Sequence, residues 1–414
     1  MGALGDNVRD KRLAAGLTQE TLAYAAGLTP STVAKLEQGG SVRIETLHKL
    51  AKALHLKTSE LMASSTPQAV GCGEVSPVGL VGLRNALTPP VGLEDLRPEV
   101  AGAPDLAALR EVVRGGSSSY NALKFEPIAA HLPQVVTDSN SAVAHFDNGP
   151  ERETALSIRS EALLLAGRYL TAVRQFDLAY YALSGAIHDA RAVDDTHTAS
   201  TAIGIMSWLM TRQGRFDDAE RLAIETADRI EPRISQATPE RLSSWGWLAL
   251  HAAAAAIRNN RAEEAAAVRR IAASAASALG NQPAGSARYG RFDTAVVAMK
   301  SLEDELIKDG GDPYRVIEES AGKAPLSDFS MRAAGVSETD NEWNRHRLTV
   351  ASACVMVGDH DGAMDRLVRI ECDNADWLRH QRPAHDVLRT VVRARKRKLT
   401  RDMRRLGALL TTDA

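Results

Sequence analysis

Residues 17–40 read LTQETLAYAAGLTPSTVAKLEQGG, and this stretch decides how the N-terminal part of the chain folds. Thr18 offers a hydroxyl N-cap ahead of the helical phrase QETLAYAA, and Gly27 supplies a turn. Thr29-Pro30 then sets a capping hydroxyl before a proline at the first position of a second helix, which Gly39-Gly40 ends. Two short helices joined by a tight turn approach closely, so small or apolar side chains are required at set positions. Counting from Gln19, Leu22 and Ala23 fall at the fourth and fifth places, Gly27 at the ninth, Leu28 at the tenth, Val33 at the fifteenth and Leu36 at the eighteenth. Each constrained position holds a residue that fits.

Working outward, Leu4, Val8 and Leu13 form a preceding helical stripe that stops at Gly16. The stretch VRDKRLAAGLTQETLAYAAGLTPSTVAKLEQGG resembles the Cro/CI-type (XRE) helix-turn-helix regulators. The resemblance spans residues 4–62, taking in RIETLHKLAKALHL as a fourth helix and TSELM as a short fifth. It implies a five-helix, lambda-repressor-like DNA-binding domain whose second motif helix enters the major groove while the first crosses the backbone. Carried over by position, it implies that Pro30, Ser31, Thr32 and Lys35 meet base edges and that Thr18, Gln19, Thr29, Gln38 and Arg43 meet phosphates. Lys35 can donate to guanine O6 or N7, and the hydroxyls of Ser31 and Thr32 can bond either kind of edge. Pro30 departs from the long amide or Arg common there, so one base position is expected to be read by shape. The resemblance also implies an ion pair between Arg12 and Glu37, joining the first and third helices. His48 and His55 are read as surface or core residues.

The whole chain has 414 residues, enough for two or three domains, and its 44% apolar, 25% charged and 4% aromatic residues favour helices. No run approaches the roughly 18 uncharged apolar residues of a membrane span, and the start MGALGDNVRDKR is charged. A cytoplasmic, nucleoid-associated protein with no membrane partner is expected. Cys72, Cys354 and Cys372 lack zinc-site spacing and are read as reduced thiols. The net charge of −2 hides an asymmetry: residues 1–63 hold 8 Lys+Arg against 6 Asp+Glu, residues 64–378 hold 31 against 43, and residues 379–405 hold 11 against 2. An N-terminal domain so mildly basic gives weak phosphate attraction, which implies binding as a dimer.

Residues 64–104 read as a Gly-, Pro- and Ser-rich linker with one short helix around Leu80–Leu87; Gly79 and Gly82 do not make a phosphate loop. Residues 105–378 read as successive amphipathic helices carrying a recurring phrase: RQFDLA at 174–179, GRFDDA at 214–219, NRAEEA at 260–265 and GDHDGA at 358–363, with vaguer copies around Phe125 and Tyr314. The phrase resembles the turn of tetratricopeptide repeats, at spacings of roughly 40 to 52 residues rather than 34. A degenerate α-solenoid is expected, with an ordinary helical bundle as the alternative. Trp208, Trp245 and Trp247 suit interhelical packing, or else the wall of a ligand groove. Residues 379–414 read as one basic amphipathic helix that caps the solenoid, touches DNA or lies on a membrane surface.

No H-E-x-x-H, G-x-S-x-G, Walker or Rossmann phrase occurs, so no enzyme, cofactor or metal is expected. The fold class expected is all-α: a helix-turn-helix domain over residues 1–63, the linker over 64–104, a tetratricopeptide-like sensor and dimerisation domain over 105–378 and the basic cap over 379–414. Taken whole, the chain resembles Cro/CI-type regulators with such repeats, of actinobacterial type. That resemblance implies a homodimer on a double-stranded DNA operator, with a peptide, small-molecule or protein ligand in the helical domain. The alternative is a DNA-tethered adaptor whose repeats dock a protein partner.

Overall fold

The computed structural model describes residues 3–40, 42–62, 80–90, 102–280, 290–395 and 398–411. The architecture is all-helical, with no strand among the described residues. Five short helices form an N-terminal head: α1 (Ala3–Ala14), α2 (Gln19–Ala25), α3 (Pro30–Glu37), α4 (Ile44–Ala53) and α5 (Thr58–Met62). Val8, Leu22, Ala23, Val33, Leu36, Leu47, Leu50 and Leu61 close on one another as its core. Leu13, expected on the buried stripe, is 55% exposed. It follows Val8 by five residues, a step that carries it past the buried face of a helix.

The α2–α3 turn follows from its residues. Thr18 and Thr21 cap α2 reciprocally, with Thr21 N–H donating to Thr18 Oγ1 at 3.1 Å and Thr18 N–H to Thr21 Oγ1 at 2.8 Å. Gly27 takes φ +61°, a left-handed conformation that only glycine adopts without strain. Pro30 opens α3 as its first residue. Thr29 does not cap the α3 backbone with its hydroxyl as expected. Its Oγ1 lies 2.9 Å from both Ser31 Oγ and Thr32 Oγ1, two contacts among three hydroxyls that leave at least one O–H free to donate elsewhere.

The body behind the head begins with α6 (Val81–Leu87), α7 (Leu106–Asn121), α8 (Phe125–His145), α9 (Gly149–Ala172) and α10 (Phe176–Ala192). It continues through α11 (Thr196–Arg212), α12 (Phe216–Ile230), α13 (Pro239–Arg258), α14 (Ala262–Leu279) and α15 (Thr294–Ile307). The last six helices are α16 (Pro313–Glu318), α17 (Asp328–Ala333), α18 (Asn341–Met356), α19 (His360–Arg379), α20 (Arg382–Ala394) and α21 (Arg401–Thr411). The four clear copies of the sequence phrase fall at helix-to-helix turns of one geometry. Arg174, Gly214, Asn260 and Gly358 each have positive φ, between +60° and +82°. The residue after each donates its N–H to a carbonyl five positions back: Gln175 to Leu170, Arg215 to Met210, Arg261 to Ala256 and Asp359 to Cys354. This is the Schellman stop, and the next helix starts one residue later. The alanine that ends each phrase, Ala179, Ala219, Ala265 or Ala363, is at most 1% exposed, where only a methyl fits between helices. The same turn recurs at Leu123, near the vaguer copy, and at Asp194, which no phrase announces. Tyr314 is no copy: it is the second residue of the six-residue α16 and is 62% exposed.

Two expected boundaries change. The segment around Leu80–Leu87 is not linker but body, since Leu80, Leu83 and Leu87 are buried in the largest core cluster. Most of the remaining linker, with Cys72 and Gly79, lies outside the described residues. The basic C-terminal segment is two helices rather than one. Between Val392 and Leu399 the chain reads RARKRK, nearly two turns of cation with nothing to bury, and the helix stops there. Val387, Leu388 and Val391 of α20 and Met403, Leu406 and Leu410 of α21 are buried in the same core cluster, while Leu399 is 39% exposed.

That cluster runs from Leu80 to Leu410, so the succession of hairpins curls until its ends meet. The closure has specific contacts: Glu126 N–H donates to Asp376 at 2.6 Å, and the Phe125 and His380 rings stack with centroids 5.8 Å apart. Helices α9, α11, α13, α15 and α18 thereby surround a cavity of about 700 Å³. Among the described residues no helix is long and apolar enough to cross a membrane.

Candidate nucleic-acid interface and the cavity behind it

On the head, Pro30, Ser31, Lys35 and Gln38 are exposed along one side of α3, and Thr32 is half-buried beside them. The helix is held by its other side, where Val33 and Leu36 are buried, and by Glu37. Arg12 donates to both Glu37 oxygens, Nε to Oε1 at 2.7 Å and Nη2 to Oε2 at 2.9 Å, and its Nη1 reaches the Leu17 carbonyl at 2.8 Å. The Gln19 amide adds a third donor to Glu37 at 2.7 Å. Burial alone would raise the Glu37 carboxyl; the hydrogen bonds from Arg12 and Gln19 overcome it and hold the group below the ordinary carboxylate range. The bidentate pair thus ties α1 to α3 and fixes the angle at which α3 is presented.

The residues expected at phosphates stand differently from one another. Gln38 is exposed, and Thr18, also exposed, spends its hydroxyl on the α2 cap. Gln19 is engaged with Glu37 and Thr29 with its neighbouring hydroxyls. Arg43 ends in an ion pair with Asp386 of α20, Nη1 to Oδ1 at 2.5 Å, a partner 343 positions away that sequence patterning does not reveal. Beside it Arg382 of α20 pairs with Glu45 at 3.0 Å.

The head is docked on the body through α4 and α5. Thr58 Oγ1 donates to the Arg258 carbonyl at 3.0 Å, and His48 Nδ1 lies 2.8 Å from the same oxygen. Because that partner is a carbonyl, Nδ1 carries the proton. Burial lowers the His48 pKa, against the carbonyls of Ile307 and Arg258, which raise it. Asn259 accepts from Ser59 N–H at 3.1 Å, and Asn260 Nδ2 donates to the Leu56 carbonyl at 2.9 Å. At the α11–α12 turn Gly214 leaves the space that Met62 and Ile44 fill: a Cβ there would stand 2.7 Å from Met62 Cε and 3.3 Å from Ile44 Cδ1. The head therefore rests on the turns that end α11 and α13, both of which line the cavity.

The cavity wall was only partly foreseen. Trp245 packs into an apolar core as expected, whereas Trp208 and Trp247 line the cavity. Trp247 stacks on His251 at 5.6 Å and meets Phe292 at 6.1 Å, and Trp208 lies 6.4 Å from His251. Among the described residues no cluster of His, Cys, Asp or Glu is arranged to hold a metal ion.

A comparison with protein-family models matches residues 8–61 to a helix-turn-helix family. Neither the curated proteins nor the solved structures yielded a match. The match covers α2 to α4 whole, most of α1 and α5, and ends before the body, so the tetratricopeptide resemblance rests on the turns alone. Residues 8–61 form a helix-turn-helix of the XRE type, which points to a DNA-binding transcription regulator.

Proposed function

We propose that the chain is a one-component transcription regulator whose head reads an operator in duplex DNA through α3 and whose body senses a ligand and alters that reading. The observation that carries the first half is the open side of α3: Pro30, Ser31, Lys35 and Gln38 are exposed while α4 and α5 are occupied by the body. The side chains there suit base edges, with Lys35 for guanine and Ser31 and Thr32 for either kind of edge, and Gln38 reaching a phosphate.

The second half is supported by the seating of the head. Helices α11 and α13 line the cavity and end in the turns that grip the head, so a ligand that favours one packing of those helices acts on the head's position. Binding as a homodimer belongs to the same reading. Residues 1–63 carry only two more cations than anions, and two half-sites multiply what one such head discriminates.

The test is to capture fragments of genomic DNA on the purified full chain at fixed salt, then measure affinity for the best fragment with and without the small-molecule fraction of a cell extract. The reading expects one or a few enriched fragments and an affinity that changes at least about fivefold, the lower end of ordinary allosteric coupling. Uniform recovery of fragments would contradict the DNA half. A stoichiometric protein that co-purifies, with no response to small molecules, would favour an adaptor.

A further inference from the structure

We infer that the cavity binds a small molecule that joins a flat ring system to an anionic group, a carboxylate or a phosphate. The inference rests on the reading of the cavity as a ligand site and adds the chemistry of what enters.

The first ground is a charge count by partner. The five carboxylates around the cavity are occupied: Asp304 by Arg269, Glu303 by Arg258 at 2.6 Å and Lys300 at 3.4 Å, Glu342 by Lys300 at 2.8 Å, and Asp293 and Asp340 by Arg291 at 3.4 and 3.5 Å. Two cations of the wall, Arg212 and Arg345, have no carboxylate within ion-pair distance among the described residues; Arg345 stands in the field of Glu303 and Glu342, whereas the charges acting on Arg212 include the cations Arg345, Arg174 and Arg382. Arg212 donates to the Thr171 carbonyl at 3.0 Å and stands 5.6 Å over the Phe176 ring; Arg345 lies 6.0 Å from the Trp377 ring. Burial, and then the neighbouring charges of Arg345 and Arg174, lowers the Arg212 guanidinium to about 9. A half-buried guanidinium held beside like charge is costly unless an anion completes it, and a carboxylate or phosphate matches its planar fork.

The second ground is the aromatic wall. Trp208, His251, Trp247 and Phe292 succeed one another with centroids 5.6 to 6.4 Å apart, and Trp247 Nε1 finds no acceptor among the described residues. His251 stays neutral, its pKa lowered to about 3 by burial first and Lys300 next, so the wall itself adds no charge. Such a surface takes a planar ring by stacking. The volume of about 700 Å³ falls within the roughly 300–1,000 Å³ of small-molecule sites. Ring and anion can therefore be held at once, one by the tryptophans and the other by the arginines.

The test is calorimetric titration of the full chain with 2-naphthoate, 2-naphthyl phosphate and the neutral 2-naphthamide. One anion per chain is expected, at least about tenfold tighter than the amide, as a charge-assisted bidentate contact provides. The two acids tell which anionic group the site prefers. Arg212→Gln and Arg345→Gln should each remove most of that difference while leaving amide binding unchanged, and Trp247→Leu should weaken all three. Arg212→Gln should also leave the melting temperature of the free protein equal or higher, since it removes a half-buried charge that has no carboxylate within ion-pair distance and stands beside like charge. Equal binding of amide and acids, a preference untouched by both arginine variants, or no binding of any probe would overturn the inference. If the acids bind as expected while operator affinity stays constant, the ligand chemistry stands and the sensor reading fails.

Discussion

Glu37 draws three hydrogen bonds from Arg12 and Gln19 inside a head only five short helices deep, and it is 5% exposed. Removing Arg12 leaves that charge buried against a single amide. Arg12→Ala should therefore cost the head about 3 kcal/mol, measured as a lower urea midpoint at unchanged slope. An unchanged midpoint would mean that the pair does not hold α1 to α3. The spacing of Leu22, Ala23, Gly27, Leu28, Val33 and Leu36 made the head legible, because a tight helical hairpin admits few side chains at those places. What those residues do not disclose is engagement. Gln19 and Arg43 hold positions expected at phosphates, yet each has a carboxylate partner, one of them from the far end of the chain.

Helix α20 does two things that one amphipathic pattern does not separate: it buries Val387, Leu388 and Val391 in the body and offers Asp386 and Arg382 to the head. In the proposed complex Asp386 competes with a phosphate for Arg43. Asp386→Ala should strengthen operator binding several-fold and steepen its log–log salt dependence by about 0.9, the increment for one further phosphate contact. An affinity and slope equal to wild type would show that Arg43 does not reach DNA. The turns between body helices were legible where a Gly or Asn with an Ala five residues on marked them, as at Gly214 and Asn260. The turn at Asp194 was not, because its DDTHTA carries none of the glycine, asparagine or aromatic residue that mark the clear copies. The split between α20 and α21 was likewise hidden, since the helical period of apolar residues continues in register across the gap.

Closure of the body into a ring joins residues near Phe125 to residues near Asp376, and no local pattern predicts such a contact. The cavity follows from the closure, which is why helical spacing favoured packing over a groove wall for Trp208 and Trp247. Ring closure also buries titratable groups. His346 is 2% exposed, and its pKa is lowered to about 3 by burial, with Lys300 and Arg366 next in effect. An unfolded histidine titrates near 6.5. Its neutral form thus supports the fold fully above about pH 6.5, and support is lost as pH falls from there toward 3, about 2 kcal/mol by pH 5. Thermal melts should show a midpoint that drops between pH 7 and pH 5, and a shallower drop in His346→Gln; an equal drop in both would remove His346 from the account. The central claim is that α3 reads sequence. Its most direct measurement is enrichment of operator from a random duplex library at fixed salt, run side by side with wild type and with Ser31→Ala, Lys35→Ala. Wild type should enrich a defined motif, and the double variant should still bind DNA in a salt-dependent way while enriching none; the same motif enriched equally by both would contradict the account.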